Sequence, residues 1–226
     1  MEILLDTANL DSIRYYQQRL PLAGVTTNPS ILKKEGTKEF FQQLTAIKQL
    51  IGQGSLHVQV VGQTTAEMIA DAETILERLG SDIWIKIPVS AAGLATIQHL
   101  KKYQVNITAT AIYSEFQGYL AIAAGADYLA PYYNRMENLN SDAAQMIQAL
   151  AAEITRTQAS SKILAASFQN IQQVNQAIRH GAHAFTAAPE IFEKALGMAA
   201  ITQAVTDFQT DWRTTFATNT VAELGK

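Results

Sequence analysis

The segment IWIKIPVSAAGLATIQHLKKYQVNITATAIY (residues 83–113) holds the pattern on which the fold prediction depends. It begins with the β-rich run IWIKIPV (83–89), ends with a second such run, VNITATAIY (105–113), and has a longer amphipathic run between them. Two strands separated by a helix pair in parallel through a right-handed crossover. The segment therefore predicts one strand–helix–strand unit of a parallel sheet.

The same alternation extends over the rest of the chain. The other six β-rich runs are EILLD (2–6), AGVTT (23–27), LHVQV (56–60), ADYLAPYY (126–133), KILAASF (162–168) and AHAFTA (182–187). Helical patterns lie between them: one opens with a capping box from Thr64 to Glu67, and Pro189 stands where a helix would begin. Eight units of about 28 residues each predict an α/β fold, a single-domain (β/α)8 TIM barrel over residues 1–226. The alternative is an open doubly wound sheet, but no G-x-G-x-x-G motif follows the first strand.

A last helical pattern follows the eighth unit, over about residues 198–218. Its apolar residues recur at helical spacing: Ile201, Val205, Phe208, Trp212 and Phe216. A minimal barrel does not need this extra C-terminal helix. The stripe either closes the underside of the barrel or packs on a neighbouring subunit, and the pattern leaves both interpretations open.

Composition excludes several classes of protein. With 48% apolar and 16% charged residues and a net charge of −3, the chain is neither disordered nor suited to binding nucleic acid or anionic lipid. No apolar run reaches the roughly 20 residues of a membrane helix, and the N-terminus lacks a basic export signal. The chain has no cysteine, and a cytoplasmic location is expected. Small molecules or other proteins are the expected partners, and four scattered histidines predict no metal site.

One lysine is predicted to face the barrel interior. Alternation in IWIKIPV turns the three isoleucines towards the helices, so that Lys86 points inward together with Trp84 and Pro88. Burial of an ammonium group is costly and lowers its pKa, and a neutral amine is a nucleophile. The alternative is a lysine that is paired with a buried carboxylate.

Polar residues also occupy the ends of the other strands, where barrel active sites lie. They are Asp6, Thr26, Asn28, Gln59, Thr108, Thr110, Tyr132 and Ser167. A purely structural core would have valine, isoleucine and leucine there, so the set predicts a site for a hydroxylated substrate. Arg135 follows in the polar loop NRMENLNSD (134–142), where a guanidinium group suits a phosphate, although a single loop arginine is usually just solvated.

Six blocks of sequence carry a resemblance to a known family. They are LLDTAN (4–9), GVTTNPS (24–30), WIKIPV (84–89), TATAIY (108–113), APYYNR (130–135) and LAASF (164–168). With them the chain resembles the small transaldolase and fructose-6-phosphate aldolase family over essentially its whole length. The resemblance implies a class I aldolase in which Lys86 forms a Schiff base with a ketose carbonyl, without a metal or organic cofactor. It also implies homo-oligomers, either rings of five subunits or stacked decamers, with the C-terminal helix on a neighbour.

Two positions distinguish the branches of this family. Transaldolases have glutamate on the third strand and phenylalanine on the sixth, whereas this chain has Gln59 and Tyr132. Both residues resemble the fructose-6-phosphate aldolase branch. That branch implies an aldehyde-lyase that reversibly cleaves fructose 6-phosphate to dihydroxyacetone and glyceraldehyde 3-phosphate.

The resemblance also implies roles for the remaining site residues. Tyr132 is expected to exchange a proton through a water held by Gln59 and Thr110, while Asp6 steers the position of the proton. The substrate is expected to bind through its hydroxyls and its phosphate. The hydroxyls would contact Asp6, Thr26 and Asn28, and the phosphate would contact Arg135 and Ser167.

Three other functions stay open. A transaldolase would transfer the dihydroxyacetone unit between sugar phosphates, and a different Schiff-base barrel would act on deoxyribose phosphate or a hexulosonate. A non-catalytic sugar-phosphate-binding barrel would have lost the chemistry. The presence of Asp6, Asn28, Lys86 and Tyr132 together argues against the last of these.

Overall fold

The computed structural model describes residues 1–225. Within them, eight parallel strands close into a barrel in chain order, and the eighth strand pairs with the first. Helices alternate with the strands. The predicted (β/α)8 barrel is therefore confirmed. No helix in this range has both the length and the apolar character needed to cross a membrane.

The strands and helices follow one another in this order: β1 (Glu2–Asp6), α1 (Leu10–Gln17), β2 (Leu22–Thr26), α2 (Pro29–Lys34), α3 (Phe40–Ile51), β3 (Ser55–Gln59), α4 (Thr65–Leu79), β4 (Trp84–Pro88), α5 (Ala91–Lys101), β5 (Asn106–Ile112), α6 (Glu115–Ala123), β6 (Tyr128–Pro131), α7 (Tyr133–Asn138), α8 (Ala143–Thr157), β7 (Lys162–Ala165), α9 (Ile171–Arg179), β8 (Ala184–Ala187), α10 (Pro189–Leu196), α11 (Ala199–Phe216) and a 3₁₀ helix (Val221–Gly225).

The chain divides into two compact units, residues 1–189 and the residues from 190 onward. The first unit contains all eight strands with α1–α9, and the second contains nearly all of α10, together with α11 and the 3₁₀ helix. Helix α11 lies where the C-terminal helix was expected, and none of its residues is buried. The contact of this helix with a neighbouring subunit stays a prediction.

Polar caps explain where several helices begin. The predicted capping box at the start of α4 is present, because the Thr64 hydroxyl accepts from the Glu67 amide and the Glu67 carboxylate accepts from the Thr64 amide. Helix α2 begins at Pro29 and is capped by Asn28, whose side-chain oxygen accepts from the Ile31 amide at 3.0 Å. Helix α10 begins at Pro189, as expected. These caps set the directions in which the chain leaves the barrel strands.

The N-terminal half of the barrel interior is a closed floor. An apolar cluster made by Leu4, Tyr128, Leu164 and Ala184 fills it, with Trp84 packed against the cluster. The ring of His57 stacks on that of Trp84, with centroids 5.3 Å apart. We call these six residues the floor, together with the polar residues that bond to them.

The polar groups of the floor bond to one another. The Tyr128 hydroxyl donates to the Glu2 carboxylate, and the Lys162 ammonium donates to the same carboxylate at 2.6 Å. The two ring nitrogens of His57 lie 2.8 Å from the Thr108 hydroxyl and 3.0 Å from the Ser55 hydroxyl. Burial, and then the charge of Lys86, hold the pKa of His57 well below its ordinary value. The floor histidine is therefore neutral and fully bonded.

Candidate active site

A cavity of about 410 Å³, which we call the mouth, lies at the C-terminal ends of β2, β3, β5 and β6. Four of the predicted site residues line it: Asn28, Gln59, Tyr132 and Arg135. Asn28 uses its side-chain oxygen to cap α2, which leaves its amide hydrogens for a ligand. The volume is within the range of small-molecule sites.

Lys86 on β4 is only 4% exposed and points inward, as predicted. Its Nζ donates to the Thr27 carbonyl oxygen at 2.9 Å, and no carboxylate in residues 1–225 forms an ion pair with it. The alternative of an ion-paired lysine is therefore wrong for this structure. Burial lowers the pKa of Lys86, and the nearby charge of Asp6 opposes that shift only in part. The lowered pKa increases the fraction of free amine at neutral pH.

A chain of hydroxyl groups reaches Asp6 at the end of β1. The Thr26 hydroxyl at the end of β2 donates to the Asp6 carboxylate at 2.6 Å. The Thr186 hydroxyl on β8 lies 2.7 Å from the same Thr26 oxygen. Thr26 is 1% exposed and Thr186 is 2% exposed, so both hydroxyls are buried. Asp6 is thus bonded directly to Thr26 on β2, and Thr186 on β8 contacts it only through Thr26.

The Tyr132 hydroxyl lies beside Thr110. The Thr110 hydroxyl donates to the Tyr132 oxygen at 3.1 Å, and the ring of Tyr113 packs edge-on against that of Tyr132 with centroids 5.6 Å apart. Burial raises the pKa of Tyr132, and the Thr110 hydrogen bond offsets part of that rise. The phenol therefore keeps its proton at neutral pH and can donate or relay it.

The backbone of β5 is irregular directly after Thr110. The register between β5 and β6 is irregular between Ala109 and Ile112, and Ala111 has a φ of 56°. A positive φ is strained for a residue with a Cβ, and bulges of this kind re-aim neighbouring side chains next to active sites. Ala111, the residue with the strained backbone, itself lines the mouth next to Thr110.

Gln59 at the end of β3 has an unused acceptor. Its Oε1 is buried and has no hydrogen-bond partner among residues 1–225. The register pairs Gln59 with Lys86 on the adjacent strand. A buried acceptor without a partner costs about 1–3 kcal/mol, so a donor from a substrate or a water is expected to bind here.

The predicted loop around Arg135 is a short helix, and that expectation is wrong. Helix α7 begins at Tyr133, because Tyr133 and Met136 are both buried, three residues apart, and anchor one turn that the polar residues between them conceal. The Arg135 guanidinium donates to the Tyr113 hydroxyl at 3.1 Å and lies 4.9 Å from the centre of the Tyr132 ring. The helix thus carries a cation to the edge of the mouth.

Ser167 follows β7 and is not among the residues that line the mouth. Its backbone has a φ of 61°, and its carbonyl oxygen accepts from the Asn134 amide at 3.0 Å. This contact ties the loop after β7 to α7, the helix of Arg135. Thr108 lies deeper, where it bonds to His57 of the floor.

Three residues of the site were missed by sequence reasoning. Thr186 was detectable, because the alternation test, applied to AHAFTA as to the other strands, also turns it inward. Tyr113 ends the block TATAIY but carries no signal for its contact with Arg135. Thr27 contributes a backbone carbonyl, which no side-chain pattern can indicate.

The chain is similar to known proteins over nearly its whole length. A family model described as "Transaldolase/Fructose-6-phosphate aldolase" matches residues 3–224. A protein of Streptococcus pneumoniae described as "Probable fructose-6-phosphate aldolase" is 54% identical over 213 residues, which cover 94% of this chain and 96% of the relative. The resemblance predicted from the six sequence blocks is confirmed, and the chain belongs to the transaldolase/fructose-6-phosphate aldolase family.

Proposed function

We propose that this protein is a class I aldolase that cleaves fructose 6-phosphate reversibly to dihydroxyacetone and glyceraldehyde 3-phosphate. The observation that carries the proposal is Lys86, a buried amine with a lowered pKa, no ion pair in residues 1–225 and a position beside the mouth. The description of the Streptococcus pneumoniae relative as a probable fructose-6-phosphate aldolase supports the choice of substrate. Gln59 and Tyr132 support the aldolase branch of the family.

The reaction begins when the neutral amine of Lys86 attacks C2 of the ketose. Loss of water gives an iminium ion, which accepts the electron pair of the C3–C4 bond as that bond breaks. The proton of the C4 hydroxyl leaves at the same time, and glyceraldehyde 3-phosphate departs. Protonation of the resulting enamine at C3 and hydrolysis of the iminium then release dihydroxyacetone and restore the amine.

Proton transfer falls to Tyr132 in this proposal. Its oxygen accepts from Thr110 at 3.1 Å, which leaves the phenolic hydrogen directed elsewhere. The unpaired Oε1 of Gln59 suits the water that relays the proton. Asp6 steers the proton near the iminium, since its charge acts on Lys86.

The phosphate end of the substrate is assigned to Arg135. Its guanidinium lines the mouth and is held by Tyr113, so less rotamer entropy is lost when a phosphate binds. Asn28 would bind a sugar hydroxyl through its free amide hydrogens. Ser167 remains a proposed phosphate ligand that would have to turn towards the mouth.

A coupled assay tests the function directly. Purified protein with fructose 6-phosphate alone should release free dihydroxyacetone, and borohydride should trap an adduct with dihydroxyacetone that peptide mapping locates at Lys86. Strict dependence on erythrose 4-phosphate would instead identify a transaldolase, the alternative that the family description also supports. Turnover of deoxyribose phosphate or a hexulosonate in a substrate panel would indicate a different aldolase. Absence of turnover with every ketose phosphate would favour a binding protein.

We also keep homo-oligomers, as rings of five or as decamers, in the proposal. Most of the apolar stripe of α11, from Ile201 to Phe216, is exposed, which supports burial against a second copy. Deletion of the residues after Ala204 should then reduce the mass measured by light scattering, and an unchanged mass would contradict this part of the proposal. The cytoplasmic location stays a prediction.

A further inference from the structure

Thr186 is a buried hydroxyl that the proposed mechanism does not use. It lies on β8, the strand for which sequence reasoning predicted no site residue. We propose that Thr186 is a positioning residue that donates its hydrogen to Thr26, commits the hydrogen of Thr26 to Asp6, and so holds the Asp6 carboxylate in place. This inference rests on the proposed function, because it concerns the carboxylate that faces the reactive amine.

The number of hydroxyl hydrogens sets the direction of the hydrogen bonds among Thr186, Thr26 and Asp6. Thr26 Oγ1 lies 2.6 Å from Asp6 Oδ1 and 2.7 Å from Thr186 Oγ1, but a hydroxyl has only one hydrogen to donate. An ionised carboxylate can only accept, so the Thr26 hydrogen goes to Asp6. The Thr186 hydrogen must therefore go to Thr26. The order of donation is Thr186, then Thr26, then Asp6.

Because both threonine hydroxyls are buried, water cannot take the place of these hydrogen bonds. Thr26 and Thr186 are 1% and 2% exposed, so bulk water cannot supply the hydrogen that Thr186 donates. Successive hydrogen bonds in a low-dielectric interior also polarise and strengthen one another. Without Thr186, the Thr26 oxygen lacks its donor, and its hydroxyl loses the contact that fixes its rotation.

The position of the two threonines follows from the barrel. β8 and β2 both pair with β1, so Thr186 and Thr26 flank the strand that carries Asp6. Side chains from alternate strands meet in one layer inside such barrels. The contact therefore spans 160 positions of sequence but only one intervening strand.

These hydrogen bonds change the role expected for Thr26, which was binding of a substrate hydroxyl. Its hydrogen is already used by Asp6, and its side chain is almost fully buried. It therefore has no hydrogen to offer a sugar hydroxyl, and its contribution is to orient the carboxylate. Asp6 keeps its second oxygen for the reacting groups.

The test compares Thr186→Val, which keeps the shape of the side chain, with Thr186→Ser, which keeps the hydroxyl. Loss of one buried hydrogen bond predicts a fall in kcat for fructose 6-phosphate cleavage of about three- to tenfold. KM should change less than twofold, because Thr186 does not touch the substrate. The serine variant should return kcat to within twofold of the unaltered protein.

Thr96→Val is the matched control. Thr96 is also fully buried and hydrogen-bonded, but its hydroxyl lies on α5 and donates to the Ala92 carbonyl. Thr96→Val and Thr186→Val should both lower the melting temperature, because each removes a buried hydrogen bond, but Thr96→Val should leave kcat unchanged. If Thr186→Val does not fold, Thr186→Ala carries the same prediction without the risk of overpacking.

A double mutant shows whether Thr186 acts through Thr26. Thr26→Val combined with Thr186→Val should be no slower than Thr26→Val alone, because the first substitution already removes the acceptor. Unchanged kcat in Thr186→Val, no rescue by serine, or multiplicative losses in the double mutant would each overturn the inference. An unaltered protein that neither cleaves fructose 6-phosphate nor traps dihydroxyacetone would instead contradict the proposed function.

Discussion

The floor and the mouth of the barrel are built from the same strands, often from residues only two positions apart. On β3 the floor has His57 and the mouth has Gln59, and on β4 the floor has Trp84 while Lys86, which pairs with Gln59, lies beside the mouth. Both ring nitrogens of His57 are hydrogen-bonded, whereas the Gln59 oxygen has no partner among residues 1–225. One pleat of the strand separates the two environments.

This difference shows how the barrel divides stability from reactivity. Floor polar groups are satisfied by one another, as in the contacts of Glu2 with Tyr128 and Lys162. In contrast, the Gln59 oxygen at the mouth has no partner among residues 1–225, and the amine of Lys86 beside the mouth is buried with a lowered pKa. Such arrangements cost stability in the absence of a ligand, and they are typical of functional sites.

Substitution of Lys86 should have the largest effect. Lys86→Met removes the nucleophile, so cleavage should fall at least about a thousandfold and borohydride should trap nothing. The same change replaces a buried ammonium with an apolar chain, which should raise the free energy of unfolding by about 1 kcal/mol at neutral pH in urea titrations. Because the pKa of Lys86 is lowered, this gain should shrink as the pH rises towards the ordinary lysine value of 10.5.

Lys162→Met is the floor control for this variant. Lys162 bonds to Glu2 and is half-exposed, so its loss should leave cleavage unchanged and should not stabilise the protein. A Lys86→Met protein that retained cleavage, or that was less stable than the unaltered protein, would contradict the division between floor and mouth.

The same substitution at two tyrosines gives the next largest effect. Tyr132→Phe removes the proposed proton carrier and should lower kcat about a hundredfold. Borohydride should still trap the dihydroxyacetone adduct on Lys86 in this variant. Tyr128→Phe removes a hydroxyl that donates to Glu2 and should cost about 1 kcal/mol of stability, with kcat within twofold. Equal losses of kcat in both variants would show that the floor takes part in the chemistry.

Gln59→Leu tests the unpaired acceptor. It should lower kcat about tenfold, because the relay water loses its partner, yet the free energy of unfolding should rise, since a buried unpaired oxygen disappears. Gln173→Leu is the matched control, because the Gln173 amide donates to the Asn134 side chain at 3.0 Å and its loss should lower stability. If both variants lose stability, the Gln59 oxygen has a partner in solution.

His57→Phe should have the smallest effect on activity at neutral pH. Burial, and then the charge of Lys86, hold the pKa of His57 well below 6.5. Below pH 6.5, His57 is therefore protonated in the unfolded chain while it stays neutral in the folded protein. Stability therefore falls as the pH drops below 6.5, by up to about 2 kcal/mol between pH 7 and pH 5. The phenylalanine variant should lose this part of the pH dependence in urea titrations at several pH values, and an unchanged slope would mean that His57 is protonated in the folded protein.

Sequence patterns predicted the features that depend on periodicity. The order of the strands follows from the alternation of strand and helix patterns along the chain. The inward direction of Lys86 follows from the two-residue repeat of a pleated strand. The capping box at Thr64 follows from local chemistry. The identity of the six blocks then pointed to the family, which the comparisons confirm.

The features that could not be predicted depend on the three-dimensional register. Alternation alone turns Thr110 inward, but the positive φ of Ala111 and the irregular register beside it are announced by no residue type in TATAIY. The short helix that carries Arg135 depends on burial of Tyr133 and Met136 rather than on its polar letters. The carbonyl of Thr27 binds Lys86 only because β2 and β4 face the same interior.

Closure of β1 on β8 has a consequence for the biosynthesis of the protein. Asp6 is made among the first residues and Thr186 among the last of the barrel, and their shared contact through Thr26 exists only when the two end strands pair. A nascent or truncated chain that lacks the eighth strand therefore cannot assemble the complete environment of the amine. Recovery of full turnover during refolding would therefore report that the last strand has docked.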